Sequence, residues 1–435
     1  MTTNEDHPSA APPPVAGVTT TVGPAPVIEP QERVGRGFLT LFGFLNFGLY
    51  LTVMMPALFS LPYRVQTLDP DGKALSLGIV ATVGAVVSLV AGPAAGVLSD
   101  RTRSRWGRRR PWLLGGIVVA IVGSIMVALA PNLILLVLGW VVVCMGGAGA
   151  AAAITPIVAE RVPEQQRGTV GAIVGVATQL AGVLGYTLGG MLTGSLVVLF
   201  LVPWALLAVL AVVWSLAIKE HPVAIPLTTL VQTFRLMVFN PRKHPDFGLV
   251  WLGKLFMQIA LAFLTTYQLY FLGDRLGFTP EEAGQRLALV GGIGILVTMT
   301  FAVVSGMLSD KLRRRKVFIL ASTVLAAIGL ALMGFADGFG LFVAAVMFIL
   351  GAAGMFGSVD VAMASDLVPE REQAGRWMTI YNLAATLPSA IAPLLGSALL
   401  AIGSASGTNY TALFLAGAVI ALGTGVVTFF IRGVR

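Results

Sequence analysis

Twelve stretches of about twenty or more residues, each almost without charge, run along this chain and limit its folding choices more than any other feature. They cover 38–61, 76–98, 111–130, 133–158, 169–192 and 196–218, then 248–272, 284–308, 316–335, 339–364, 377–402 and 410–431. A segment this apolar cannot rely on water for its backbone, so its N–H and C=O groups must pair within the segment, as they do in a helix. Internal glycines and short polar breaks fit helices better than the alternating ten-residue strands of a membrane barrel. The pattern predicts an all-α membrane protein with twelve transmembrane helices. Composition agrees, with 56% of the 435 residues hydrophobic and 11% charged, against about 25% charged in soluble domains.

A net charge of +8 could suggest a nucleic-acid partner, but the placement of the charges argues otherwise. With both termini cytosolic, only Arg64, Lys73, Arg275 and Arg286 of the 28 Lys and Arg residues fall outside, Lys254 falls within a run, and the other 23 lie inside. That asymmetry sets the orientation of a multi-pass protein of the cytoplasmic (inner) membrane, and no nucleic acid is needed to explain it. Cys144 is the one cysteine, and His7, His221 and His244 all fall outside the apolar runs. An intramolecular disulfide, a thiolate metal cluster and intramembrane histidine chemistry are therefore excluded, and neither metal nor cofactor is expected. No phosphate loop or Ser–His–Asp arrangement points to an enzyme; the GGAGA run at 146–150 reads as helix packing.

Residues 1–35, rich in Pro, Ala, Thr and Gly, lack the basic and apolar regions of a signal peptide and read as a disordered cytosolic tail. The longest connection, 219–247, contains four prolines and the stretch LTTLVQTFRLMVF. It reads as a cytosolic linker with a short interfacial helix, dividing the chain into bundles at 36–218 and 248–435.

The halves echo one another. SDRTRSRWGRRR at 99–110 returns in shorter form as SDKLRRRK at 309–316, and ERVPEQQRG at 160–168 returns as DLVPEREQAG at 366–375. Two independent echoes at offsets of 210 and 206 residues imply that the two six-helix bundles are structural repeats. The pattern GPAAGVLSDRTRSRWGRRRP at 92–111 resembles the loop-2/3 signature of the major facilitator superfamily, and the duplicated layout is similar along nearly the whole chain. The extended loop is most similar to that of the glycoside–pentoside–hexuronide and sucrose-type symporters. The resemblance implies the major facilitator fold, two pseudo-symmetric six-helix bundles rocking about a central site. It also implies secondary transport of a small polar, glycoside-like solute by a monomer.

In such a fold the cytosolic loops meet when that side is closed, in the outward-open state. Asp100, at the end of span 2, is then expected against the start of span 11 near Gly375 and Arg376, where free N–H groups and a partial positive charge suit a carboxylate. By pseudo-symmetry Asp310 should face the start of span 5 near Arg167 and Gly168. Arg101, Arg108, Glu160 and Asp366 complete the expected cytosolic gate, with Gly92 and Gly96 permitting close approach. Inside the spans, Lys254 and Asp360 are the two ionisable groups that stand as functional candidates, and an ion pair between spans 7 and 10 is geometrically reasonable. Lys254, Gln258, Thr265 and Gln268 fall on one helical face. Asn46 and Tyr50 in span 1, Gln179 and Tyr186 in span 5, and Asn382, Thr386 and Ser389 in span 11 add neutral hydrogen-bonding groups.

Asp360 is the deepest acid and the expected proton carrier, with Glu160 and Asp366 as boundary alternatives. The melibiose-type relatives use acids in spans 1, 2 and 4 for sodium. Here those spans hold none before Asp100 and Glu160, which turns the expectation from sodium to protons. An efflux antiporter is the rival reading, weakened because GYTLGG at 185–190 has tyrosine where the export signature has proline. A non-transporting sensor is a third. Facilitated diffusion stays open, and the single Lys254 admits an anionic solute.

Overall fold

The computed structural model describes residues 33–218, 237–404 and 408–433. Residues 1–32 of the expected tail and 219–236, which hold most of the expected interfacial helix, lie outside them.

Among the described residues twelve long apolar helices form, as the sequence predicts. They are α1 (Arg36–Leu68), α2 (Lys73–Arg101), α3 (Arg110–Leu129), α4 (Leu133–Arg161), α5 (Glu164–Met191) and α6 (Leu196–Ala217), then α7 (Pro245–Leu276), α8 (Pro280–Leu312), α9 (Arg315–Gly334), α10 (Phe339–Asp366), α11 (Ala374–Leu400) and α12 (Tyr410–Phe429). No strand occurs among the described residues. An even number of crossings puts the first and last helices' free termini at one end of the molecule, here the near end; the other is the far end.

Local chemistry shapes the rods. Pro56 lacks an N–H, and its ring displaces the preceding turn, so α1 widens into a π turn over Pro56–Ser60. Four helices that start at the far end, α4, α6, α8 and α12, are capped by the side chains of Asn132, Ser195, Thr279 and Asn409. Thr279 and Glu282 form a reciprocal capping box. Gly277 ends α7 in the left-handed conformation, φ 72°, which a glycine adopts without steric cost.

Packing repeats between the halves. In the first, α1 packs on α5 and α6, α2 on α4, and α3 on α4 and α6; adding six to each number gives the pairs of the second half. The pair α3–α4 is welded at backbone distance: a Cβ on Gly146 would lie 2.5 Å from Ala120 N and 2.5 Å from Gly116 O. Gly329 plays that part between α9 and α10, where a Cβ would lie 2.9 Å from Ala345 O. Lipid tails are as apolar as the helices, so close van der Waals contact must supply the association that water would drive in a soluble protein.

Candidate functional site

The two halves join through α5 on α8 and α2 on α11, and the contacts gather at the far end. Gly190 and Gly284 bring α5 and α8 together, with a Cβ on Gly284 placed 2.8 Å from Gly190 Cα and 2.9 Å from Tyr186 O. Gly78 of α2 sits against Pro393 O and Ser397 Oγ of α11, both 3.0 Å from where its Cβ would lie. Hydrogen bonds between the halves follow the same line. Thr82 donates to Ala390 O (3.0 Å), Tyr270 to Pro62 O (2.8 Å), Thr193 to Glu281 (2.6 Å), and the Gln268 amide to the Tyr186 hydroxyl. Each of these lies in the far half of its helix or, for Thr193, in the turn just beyond α5.

At the near end Asp100 and Asp310 find their partners within their own halves. Asp100 Oδ1 lies 3.4 Å from Arg109 and 3.9 Å from Arg108, both of its own half. Glu160 takes Arg108 at 2.7 Å and also pairs with Arg109. In the second half Arg315 lies 3.7 Å from Asp310 and 2.7 Å from Asp366. Arg167 pairs with Glu164 at 3.6 Å and donates to Val162 O, while Arg376 donates to Gln373 and to Val238 O. Gly92, Gly96, Gly168 and Gly375 have open space where a Cβ would stand. With the halves tied at the far end, Asp100 and Asp310 are neutralised by arginines within their own halves; the expected cross-half contacts belong to a state closed at the near end. Arg101 is exposed at the end of α2.

The buried charge cluster lies in the near third of the second half. Lys254 Nζ of α7 stands 3.7 Å from Asp360 Oδ2 of α10, the pair that the sequence suggested. Asp360 is 2% exposed, so its charge is withdrawn from solvent and depends on partners in the protein. A third partner had no sequence signal. Tyr381 of α11 donates to the Asp360 carboxylate, and its ring lies 3.4 Å beneath the Lys254 ammonium. One tyrosine thus serves both charges, through its hydroxyl and its π face. Trp251 Nε1 donates to Ile380 O, fixing α7 to α11 beside the cluster.

The neutral candidates divide. Gln268 is buried and bound to Tyr186 across the halves. Asn46 is buried and donates to Phe42 O of its own helix at 2.9 Å. Tyr50, Gln179 and Gln258 are half-buried. Thr265 and Asn382 are exposed, with the Thr265 hydroxyl turned back to Ala262 O. The stripe on α7 therefore runs from a charged cluster near one end to a cross-half bond near the other.

A duplicated twelve-helix bundle, tied at one end and carrying a buried charge cluster, has the architecture of a membrane transporter. A sequence profile of the Major Facilitator Superfamily matches residues 37–306 and 250–435, and the chain belongs to that family. Over short segments it is similar to named symporters. One is an uncharacterized symporter of Synechocystis, 54% identical over 41 residues, 9% of this chain and 8% of the relative. Another is an inner membrane symporter of Escherichia coli, 31% identical over 93 residues, 21% and 18%. A sucrose transport protein of Oryza sativa is 28% identical over 106 residues, 24% and 19%. The aligned segments span less than a fifth of these relatives' lengths. Among solved structures, a bacterial homolog of the human lysosomal transporter Spinster, inward-facing and occupied, superposes with a TM-score of 0.71 at 14% identity, over 91% of this chain and 96% of that one. The nucleoside transporter NupG gives 0.68 at 14%, over 90% and 98%. At these identities the likeness is one of fold.

Proposed function

We propose that this chain is a secondary active transporter that carries a small polar, glycoside-like solute across the cytoplasmic membrane by alternating access, as a proton symporter. The near end is the cytosolic end, as the distribution of Lys and Arg favours, so the state described is open to the cytosol and closed outside. The observation that carries the reading is the Lys254–Asp360–Tyr381 cluster. An acid withdrawn from water, paired with a single lysine and a tyrosine hydroxyl, can hold a proton in one state and an ion pair in the other. When Asp360 takes a proton, Lys254 keeps its seat over the Tyr381 ring, so protonation changes the charge of the cluster without emptying it.

The symporter names of the segmentally similar relatives support import coupled to an ion, and the sucrose carrier supports a hydroxyl-rich solute. Tyr50, Gln179, Gln258, Thr265, Gln268 and Asn382 are the hydrogen-bonding groups assigned to that solute, with Asn46 offering its carbonyl oxygen. The closed cytosolic state would bring Asp100 to α11 and Asp310 to α5. For that, Arg109 and Arg315 must release them.

The test is uptake of labelled sugars and glycosides into proteoliposomes, with an inward proton gradient imposed or collapsed, for the parent and Asp360→Asn. Gradient-driven accumulation in the parent, lost in the variant while solute exchange survives, is the expected result. Extrusion of apolar or cationic compounds with no sugar uptake would overturn the reading in favour of efflux.

A further inference from the structure

The far end of α7 holds a second charged cluster, separate from Asp360. Lys73, the first residue of α2, places its ammonium 2.5 Å from Asp274 Oδ1 in the last turn of α7 and 5.0 Å from the centre of the Tyr270 ring. Tyr410, the first residue of α12, donates to the other carboxylate oxygen at 2.6 Å. Just ahead of α2, Asp69 accepts from the Gly72 N–H (3.0 Å) and the Ser76 hydroxyl (2.5 Å), holding the start of that helix in place. Lys73 belongs to the first half; Asp274, Tyr270 and Tyr410 belong to the second. The other ion pairs described, at Arg108, Arg109, Arg167, Lys254, Arg275 and Arg315, each close within one half.

The placement of the two charges is informative. A helix N-terminus carries partial positive charge and a C-terminus partial negative charge, so a lysine at the start of α2 and an aspartate at the end of α7 each sit at the wrong end of their helix. Neither charge favours its own helix. The one opposite charge that each meets here is the other, and only while the halves are together. Their side chains are 14% and 21% exposed, so water screens the pair less than it would a surface pair.

We infer that Lys73 and Asp274 are the bolt of the outer gate: a cross-half ion pair that forms as this end closes and breaks in every cycle, setting the balance between the two open states. Tyr410 is a positioning residue that holds the carboxylate towards α2. The inference rests on the alternating-access reading, because a pair between halves that never part would be only a fastening.

The test uses the full chain with Cys144→Ser and a reporter, Val183→Cys. Val183 of α5 faces Gly291 of α8 across the closed interface, where a Cβ on Gly291 would lie 3.5 Å from it. Cells are treated with a membrane-impermeant maleimide from outside, and the labelling rate is read on purified protein. Lys73→Gln and Asp274→Asn are each expected to raise the rate about fivefold, the population shift that a pair of ordinary strength allows. Lys73→Arg should keep the parent rate, and the swap Lys73→Asp with Asp274→Lys should restore it. Asp274→Asn retains an acceptor for Tyr410, which guards against misfolding. Single variants within twofold of the parent, or a swap as fast as the singles, would overturn the bolt. If Val183→Cys is never labelled from outside in any variant, the alternating-access reading itself fails.

Discussion

Replacing Gly284 by alanine adds one methyl group where α8 meets α5. Its carbon would fall 2.8 Å from Gly190 Cα and 2.9 Å from Tyr186 O, both backbone atoms. Carbon atoms rest at about 3.5–4.0 Å, so the helices must part by up to about 1 Å. Overpacking of this kind costs about 1–3 kcal/mol. In the state described the whole cost falls on closure of the far end, and it vanishes once the halves separate there. The same methyl at Gly146 would lie 2.5 Å from backbone atoms of α3, an equal or worse clash, but within one half, where every state of the protein bears it. The two substitutions should therefore have different consequences. Gly146→Ala should lower the thermal unfolding midpoint in detergent with little change in which side is open. Gly284→Ala should leave the midpoint nearly unchanged and shift the balance about 5- to 150-fold towards the outward-open state, since RT is about 0.59 kcal/mol. External maleimide labelling of Val183→Cys, beside a thermal melt of the same preparations, reads both. A Gly284→Ala protein that melts as early as Gly146→Ala and labels no faster than the parent would refute the view that the far-end contact is a reversible seat.

Two further outcomes follow from the polar contacts. Tyr381→Phe keeps the ring under Lys254 but removes the hydroxyl that Asp360 accepts from; gradient-driven uptake should fall at least about tenfold, the loss of one hydrogen bond to a charged group, while Tyr381→Ala should fall further because the ammonium loses its seat as well. Arg64 donates to Val127 O at 3.2 Å and Ala130 O at 2.6 Å, capping the C-terminal end of α3. Arg64→Gln should cost about 1.5–3 kcal/mol, seen as a lowered melting midpoint without a change in external labelling.

The helices were legible in the sequence because twenty apolar residues in a row leave the backbone one way to satisfy itself in lipid. Their ends were less so. The first apolar run stops at 61, yet α1 continues to Leu68, since the guanidinium of Arg64 finds carbonyls on α3 that no local pattern reveals. The Lys254–Asp360 pair was legible because charges inside apolar runs are rare enough to look for each other. Tyr381 was not, because a tyrosine in an apolar helix is unremarkable until the fold puts its hydroxyl beside a carboxylate; its neighbour Asn382 drew notice instead and is exposed. Lys73 counted only as one of four outer cations. Nothing in one dimension ties it to an aspartate 201 residues away. The near-end echoes are a related case: they mark residues that have a role, and leave open which partner each holds in a given state.

One helix carries both charged clusters. Lys254 and Asp274 stand twenty residues apart on α7, about 30 Å at 1.5 Å per residue, and no proline interrupts the rod between them. Its counterpart α1 has the π turn at Pro56–Ser60, a joint where motion can be absorbed. α7 has no such joint, and moving as one rod it would be a lever with arms of about 15 Å. A tilt of about 10° about its midpoint swings each end by about 2.6 Å, enough to carry a 2.5 Å contact between Lys73 and Asp274 beyond ion-pair reach. A rearrangement around Asp360 near one end would in this way reach the loops at the far end as displacement, with no relay of side chains between them.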